Sequence, residues 1–138
     1  MLEGIKKLHF VGIGGVGMSA IAEVMLDKGY EISGSDLSES AVVKHLKAKG
    51  ATIYKGHDAL NVEGKEALVL SSAIHQDDPE LVAAKAKGLK LFHRSDILAY
   101  LLNDAKGIAV AGAHGKTTTS SMISVVLEHA KVDPTILI

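Results

Sequence analysis

The sequence predicts an α/β fold with a doubly wound, mainly parallel sheet, followed by one further strand, a phosphate-binding loop and a helix. Short apolar runs alternate with segments of helical periodicity, which is the pattern of repeated β-α-β units. Two glycine-rich stretches, at 12–17 and 112–118, each join an apolar run to a helix. With 138 residues and 47% apolar side chains, the chain is long enough to fill a hydrophobic core.

The first half of the chain predicts two strand–helix units and a third strand. Met18, Ile21 and Met25 recur at the spacing of one helix face, and Gly29 ends that helix. The predicted elements are, in order, a strand at 8–13, this helix, a strand at 30–34, a helix at 40–49 and a strand at 51–54.

The following segment predicts two more strands and two more helices. Asp78 is placed to cap a helix whose first position is Pro79, and Ser95 is placed to cap the helix after it. The predicted elements are a strand at 67–71, a helix from 79 to Gly88, a strand at 89–92 and a helix at 95–102.

A polar break at 103–107 predicts a domain boundary. We therefore expect a first domain at 1–105 and the opening of a second domain at 106–138. The second part is predicted to begin with a strand at Ile108, to continue through the phosphate loop into a helix, and to close with a strand at 135–138.

Composition narrows the classes of function. A net charge of −1 and an isoelectric point near 6.6 give no electrostatic attraction to nucleic acid or to an anionic membrane. The chain has no cysteine, and its seven histidines show no metal-ligand spacing, so neither a disulfide framework nor a histidine-based metal site is expected. The start of the chain lacks the apolar core of a signal peptide, and no apolar run approaches the ~20 residues that cross a bilayer, so a cytoplasmic location is expected.

Residues 12–17, Gly-Ile-Gly-Gly-Val-Gly, fit the pattern G-x-G-x-x-G between a strand and a helix. In Rossmann-like folds these glycines allow a tight turn and bring the backbone close to a diphosphate at the helix N-terminus. Asp36 follows the second predicted strand, where such folds place an acid that binds ribose. The residues alone leave open a nicotinamide dinucleotide, another diphosphate ligand, or a tight turn without a ligand.

Residues 108–119 run from an apolar strand through a glycine-bracketed turn into Gly-Lys-Thr at the start of a helix. Backbone N–H groups of such a turn bind phosphate, Lys116 adds a cation, and the Thr117 hydroxyl is a ligand for Mg²⁺. Val110 stands where a strict P-loop has its first glycine, so only a variant of that motif fits. Little chain follows the loop, which predicts an ATP site separated from most of its catalytic domain.

Five separated motifs together resemble the Mur ligase family of peptidoglycan synthesis. They lie at 10–19, 33–36, 56–58, 71–74 and 111–117, and the resemblance covers essentially the whole chain. Ala113 stands where the family most often has threonine. The resemblance implies three domains in the full enzyme: one for the UDP-sugar, one for ATP, and a C-terminal Rossmann-like domain. This chain would hold the first domain and the beginning of the second.

The resemblance also implies which residues bind which ligand. The UDP-sugar site would comprise the first glycine loop and residues around it: Gly12, Gly14, Gly15, Val16, Gly17, Asp36, His57, Ser71 and Ser72. The ATP site would comprise Gly112, Ala113, His114, Gly115, Lys116, Thr117 and Thr118. Within it, Lys116 would bind the phosphates and Thr117 the Mg²⁺, and these two would be the catalytic residues of this segment.

The reaction that the resemblance implies joins L-alanine to the lactyl carboxylate of UDP-N-acetylmuramate. The carboxylate attacks the γ-phosphate of ATP to give an acyl phosphate with ADP as the leaving group, and the amine of alanine then displaces phosphate. Lysine, Mg²⁺ and loop amides would neutralise the two anions as they approach each other. Because most other groups for this chemistry would lie outside the 138 residues, we expect no turnover from this chain alone.

Two alternative functions remain open from the sequence. The first is a sister Mur ligase that recycles muropeptides. The residues at 12–15 fit this ligase less well than they fit a ligase that adds L-alanine. The second is a nicotinamide-binding regulatory module, which Asp36 permits but which gives the second loop no role. Arg94, the only arginine, either reaches an anionic substrate or merely begins a helix. Apolar faces on residues 106–138 would favour self-association of the chain.

Overall fold

The structure, a computed structural model, describes all residues from 1 to 138 and contains five strands, five α-helices and one 3₁₀ segment. None of the α-helices is both long enough and apolar enough to cross a membrane. In chain order the elements are β1 (Lys7–Val11), α1 (Val16–Asp27), β2 (Glu31–Asp36), α2 (Ala41–Ala48), β3 (Thr52–Lys55), the 3₁₀ segment (Ala59–Val62), β4 (Ala67–Leu70), α3 (Pro79–Ala86), β5 (Lys90–His93), α4 (Arg94–Asn103) and α5 (Lys116–His129). The chain divides into two compact units, Met1–Tyr100 and Leu101–Ile138.

The first unit contains a five-stranded parallel sheet in the order β3-β2-β1-β4-β5. β1 lies at the centre and pairs with β2 on one side and β4 on the other. The chain first builds outward from β1 to β3, then returns across the sheet to β4 and builds outward to β5. This order confirms the doubly wound α/β fold, and it places the topological switch point, where such folds bind ligands, between β1 and β4.

Helices cover both faces of this sheet. α1 contacts β2 and α2, whereas α3 contacts β4, β5 and the 3₁₀ segment. Right-handed crossovers that run in opposite directions from the centre place the two sets on opposite faces. Side chains alternate along β1, so Val11 packs with Leu68 and Leu81 on the α3 face, while Phe10 points to the other face. Both faces of the central strand are therefore buried.

The beginnings of two helices test the capping predictions. Asp78 caps α3 as the sequence predicts. The prediction that Ser95 caps α4 is wrong, because the helix begins one residue earlier, at Arg94. His93 takes the cap position, and the Asp96 carboxylate accepts a hydrogen bond from its backbone N–H at 2.7 Å. Asp96 is the third residue of α4, and its carboxylate satisfies the backbone N–H of the cap residue, as the acid of a capping box does.

The second unit contains the end of α4, a connecting loop and α5. The predicted helix is present, but the strands predicted at Ile108 and at 135–138 are not formed, and those two predictions are wrong. A strand is held by hydrogen bonds to a neighbouring strand, and no two segments of this unit pair in that way. No residue of α5 is buried, and Met122 and Val126 are each 66% exposed.

Candidate functional site

The loop between β1 and α1 presents unbonded backbone N–H groups at the centre of the sheet edge. Gly15 caps α1 without a side chain, and the N–H groups of Val16, Gly17 and Met18 find no acceptor within the protein. Gly12 has φ +71°, a conformation that favours glycine and that turns the chain away from β1. Free N–H groups at a helix N-terminus bind anions, because the helix dipole adds to their partial positive charge.

Asp36, the last residue of β2, holds this loop in place. Its Oδ2 accepts a hydrogen bond from the Gly14 N–H at 2.9 Å, and its Oδ1 accepts one from the Ser38 N–H at 3.0 Å. A Cβ atom on Gly14 would lie 2.7 Å from Asp36 Oδ2 and 3.0 Å from Val43 Cγ2. Only glycine therefore fits between the carboxylate and α2, and Asp36 contacts the loop itself.

Arg94, whose role the sequence leaves open, lies against the start of α1. A Cβ atom on Gly17 would overlap the Arg94 guanidinium, so this group sits directly beside the unbonded N–H groups. The side chain is exposed and makes no hydrogen bond or ion pair in the structure. An unpaired guanidinium next to free N–H groups is suited to bind a phosphate, because phosphate oxygens accept hydrogen bonds from both. Its signal in the sequence is that it is the single arginine among fifteen basic residues.

Ser71 and Ser72 lie at the same sheet edge, directly after β4 and therefore beside the carboxyl end of β1. Ser71 is half-buried, Ser72 is exposed, and neither hydroxyl bonds to another protein group. The turn that they begin brings the Ile74 side chain to 3.9 Å from the position of a Cβ on Gly12. The two serines thus flank the switch point from the β4 side.

His57 lies at the same edge of the sheet, just after β3, which is two strands from β1. Its Nδ1 is 2.6 Å from Asp78 Oδ2 and 3.4 Å from Glu80 Oε2. Its other ring nitrogen, Nε2, has no partner within the protein and is open to solvent. The preceding Gly56 N–H donates to the Asp36 carbonyl at 2.8 Å, which connects the His57 loop to the end of β2.

A buried hydrogen-bond network, which the sequence does not predict, lies beneath His57. Glu80 and His9 are fully buried and joined at 3.0 Å, and Glu80 also accepts bonds from Ser35 at 2.6 Å and Asn61 at 2.8 Å. Burial alone would raise the pKa of Glu80, but the bonds from His9, Ser35 and Asn61 outweigh it, so this pKa lies below its usual range. A histidine in the middle of an apolar strand was the only signal of this network.

The second glycine loop, in the other unit, has the same kind of helix start. Gly115 caps α5 with φ +76°, and the N–H groups of Lys116, Thr117 and Thr118 find no acceptor. The Lys116 ammonium donates to the Gly112 carbonyl at 2.6 Å, and all residues at 111–118 are exposed. Ala113 and His114 belong to this exposed loop, so every residue of the expected ATP site lies on one continuous segment.

Comparison with known proteins finds relatives over the whole chain. A curated UDP-N-acetylmuramate–L-alanine ligase from Hydrogenobaculum is 57% identical over 99% of this chain and 30% of its own length. The structure of a UDP-N-acetylmuramate–alanine ligase from Thermotoga maritima is 35% identical with a TM-score of 0.83, over 91% of this chain and 30% of that one. A Neisseria ligase, UDP-N-acetylmuramate:L-alanyl-γ-D-glutamyl-meso-diaminopimelate ligase, is 31% identical with a TM-score of 0.84, over 92% of this chain and 40% of that one. The chain therefore spans about a third of the length of these proteins.

A family model described as the catalytic domain of the Mur ligase family matches residues 7–106. The matched residues run from β1 to just beyond α4, and they include the first glycine loop, Asp36, His57 and Arg94. This match covers more than half of the chain and agrees with the relatives found over its whole length. The chain belongs to the Mur ligase family.

Proposed function

We propose that this chain is the UDP-sugar-binding part of a ligase that uses ATP to join L-alanine to the lactyl carboxylate of UDP-N-acetylmuramate. The observation that carries the proposal is the unpaired Arg94 guanidinium beside the unbonded N–H groups of residues 16–18. A diphosphate offers the negative charge and the acceptor oxygens that these groups lack. The names of the most similar relatives supply the sugar and the amino acid.

Each part of the site has a role in this proposal. The diphosphate binds the backbone of the first loop, at Gly12, Gly14, Gly15, Val16 and Gly17, with Arg94 neutralising its charge. Asp36 holds the loop in its binding shape. Ser71 and Ser72, whose hydroxyls are unbonded, and His57, whose Nε2 is unbonded, supply side-chain groups for the uridine and sugar along the same sheet edge.

The second loop is proposed as the start of the ATP-binding domain at 106–138, with the UDP-sugar domain at 1–105. The unbonded N–H groups at the start of α5 and the Lys116 ammonium fit a triphosphate. The Thr117 hydroxyl, an oxygen ligand without a protein partner, fits Mg²⁺ bound together with ATP. The metal would neutralise charge on the γ-phosphate as the acyl phosphate forms. We propose that the protein acts in the cytoplasm.

The sister ligase that recycles muropeptides is the nearest competing function. The Neisseria ligase, whose name gives a peptide in place of alanine, has a TM-score of 0.84, as high as the 0.83 of the alanine ligase from Thermotoga. The names of both enzymes contain the same UDP-sugar, so a first domain that binds this sugar fits either enzyme. The identities of 49% to 57% to eight alanine-adding ligases favour the alanine ligase.

Calorimetric titration with UDP-N-acetylmuramate and with NAD tests the proposal. We expect the UDP-sugar to bind and NAD not to bind. The Arg94→Gln variant should bind the UDP-sugar about 10- to 100-fold more weakly, because one or two charge-assisted hydrogen bonds are lost. Lys90→Gln is the matched control, since it removes the same charge from the opposite end of β5. Binding of NAD alone, or equal binding by Arg94→Gln, would overturn the proposal.

Phosphate release tests the expected inactivity of the chain by itself. With ATP, Mg²⁺, UDP-N-acetylmuramate and L-alanine present, we expect no alanine-dependent release. The chain spans about a third of the length of its relatives, and we propose that the groups that complete the reaction lie in the remainder. Sustained turnover by this chain would contradict that expectation.

A further inference from the structure

His57 has one ring nitrogen fixed by the protein and the other free. The 2.6 Å contact with Asp78 Oδ2 and the 3.4 Å contact with Glu80 Oε2 both fall on Nδ1. An ionised carboxylate only accepts hydrogen bonds, so Nδ1 must carry the proton. In the neutral ring, Nε2 is then an unprotonated acceptor that faces solvent. The neighbouring groups therefore determine which kind of hydrogen bond His57 offers to a ligand.

The carboxylate that fixes His57 is itself held by the backbone of α3. Asp78 Oδ1 accepts the N–H groups of Glu80 at 2.9 Å and Leu81 at 3.2 Å, which leaves Oδ2 directed at the imidazole. Asp78 is only 11% exposed in its side chain, and His57 19%. The helix cap thus sets the direction of the carboxylate, and the carboxylate sets the direction of the ring.

His57, Asp78 and Glu80 also lie close enough together to suggest a metal site. The distances favour hydrogen bonding instead. Two ligands of a tetrahedral zinc lie roughly 3.3 Å apart, given metal–ligand distances of about 2.0–2.1 Å, whereas His57 Nδ1 and Asp78 Oδ2 are 2.6 Å apart. The Glu80 oxygens are also already bonded to His9, to Asn61 and, through Oε2, to a serine.

We propose that Asp78 is a positioning residue for the UDP-sugar: it fixes His57 as the Nδ1–H tautomer, so that Nε2 accepts a hydrogen bond from a hydroxyl or N–H group of the ligand. This proposal rests on the proposed function, which places the UDP-sugar at this sheet edge. It assigns Asp78 a second role beyond capping α3. It also identifies the ligand group that meets the neutral His57 ring as a donor.

Asp78→Asn separates the two roles of Asp78. Asparagine is as good a helix cap as aspartate, so its Oδ1 still accepts the two N–H groups of α3. Those N–H groups keep the amide NH₂ on the side of His57, where it donates to Nδ1. Glu80 Oε2, at 3.4 Å, makes no hydrogen bond to the ring. We therefore expect the ring to move its proton to Nε2, which turns the acceptor offered to the ligand into a donor. The fold is retained while the tautomer is reversed.

The experiment combines ¹⁵N NMR of the imidazole with calorimetric titration of UDP-N-acetylmuramate. In the unsubstituted chain at pH 8, we expect His57 to show a protonated Nδ1 and an unprotonated Nε2, whose ¹⁵N signal shifts when the UDP-sugar saturates. In Asp78→Asn we expect the opposite tautomer, an unchanged urea midpoint and UDP-sugar binding at least about tenfold weaker. Asp58→Asn is the matched control: Asp58 also caps a helix start through its side chain but does not bond to His57, so affinity should not change.

The outcomes distinguish this proposal from the proposed function. Failure of the unsubstituted chain to bind the UDP-sugar would contradict the proposed function. Normal binding with a reversed tautomer but equal affinity in Asp78→Asn would overturn the positioning role and leave the proposed function intact. If Asp78→Asn does not fold, the unsubstituted chain still decides: a His57 Nε2 signal that does not respond to the UDP-sugar overturns the proposal. Micromolar Zn²⁺ binding that shifts His57 would overturn it as well.

Discussion

Replacing Glu80 by glutamine tests whether the buried network stabilises the first unit through the charge of its carboxylate. Glu80 is fully buried in contact with His9, Ser35 and Asn61. The amide has nearly the same shape, so the packing is retained. One amide oxygen can still accept from His9 and Asn61, and the Ser35 hydroxyl can turn to accept from the new NH₂ group. The change therefore removes the charge and turns the buried Ser35 hydroxyl from a donor to residue 80 into an acceptor from it.

The expected loss at pH 7 is about 2 kcal/mol. Hydrogen bonds to a charged group each contribute roughly 1.5–3 kcal/mol, and the neutral amide keeps the weaker part of each. Glu80→Ala should cost more, about 3–5 kcal/mol, because it leaves buried donors without any acceptor. The pH dependence follows from the pKa of Glu80, which lies below its usual range in the folded chain. Its charge stabilises the fold above the unfolded pKa of about 4.3, and this contribution disappears as pH falls through the folded pKa.

Urea unfolding followed by circular dichroism measures these differences. At pH 7 the midpoint of Glu80→Gln should fall by about 1 M, given a slope of roughly 1–3 kcal/mol/M. The gap between the two proteins should stay constant from pH 8 to pH 6 and narrow below about pH 4.3. Glu39→Gln, on the exposed surface, should change stability by less than about 0.5 kcal/mol. A loss below about 0.5 kcal/mol for Glu80→Gln, or a gap that widens in acid, would refute the reasoning.

Two glycine substitutions test the close approaches of the fold. Gly34→Ala should lower the urea stability by about 1–3 kcal/mol, because its Cβ would lie 2.6 Å from Ile13 Cβ and 2.8 Å from the Phe10 carbonyl oxygen; an unchanged midpoint would contradict this. Gly14→Ala should leave most of the stability but weaken UDP-N-acetylmuramate binding in calorimetry, because its Cβ would lie 2.7 Å from Asp36 Oδ2 and push the loop away; equal affinity would contradict the role of the loop.

The order of strands and helices in the first unit follows from local sequence, and of the three errors only the two strands predicted in the second unit depend on tertiary contacts. Apolar runs, glycine stops and the Asp78–Pro79 pair mark elements through backbone rules that act within a few residues. The cap of α4 was missed because Asp96, inside the helix, bonds back to His93. The prediction of a strand at Ile108 is wrong because an apolar run forms a strand only beside another strand. The periodicity of one segment does not show whether a partner strand is present.

The candidate site also has parts that could be predicted from the sequence and parts that could not. The glycine loops could be predicted because their pattern encodes a turn and a free helix N-terminus within six residues. The position of Arg94 over Gly17 could not, since it depends on where α4 begins relative to α1. The network of His9 and Glu80 joins positions 71 residues apart and is visible only once the sheet brings them together.

We propose that the first glycine loop and Arg94 hold the diphosphate of a UDP-sugar. Titration of ¹⁵N-labelled chain with UDP-N-acetylmuramate, followed by amide NMR, tests it most directly. The amide signals of Val16, Gly17 and Met18 and the side-chain Nε–H of Arg94 should shift together and saturate at one ligand per chain, while NAD leaves them unchanged. Binding of the UDP-sugar that shifts other signals but none of these four would contradict this proposal. The same four shifts with NAD alone would contradict it as well.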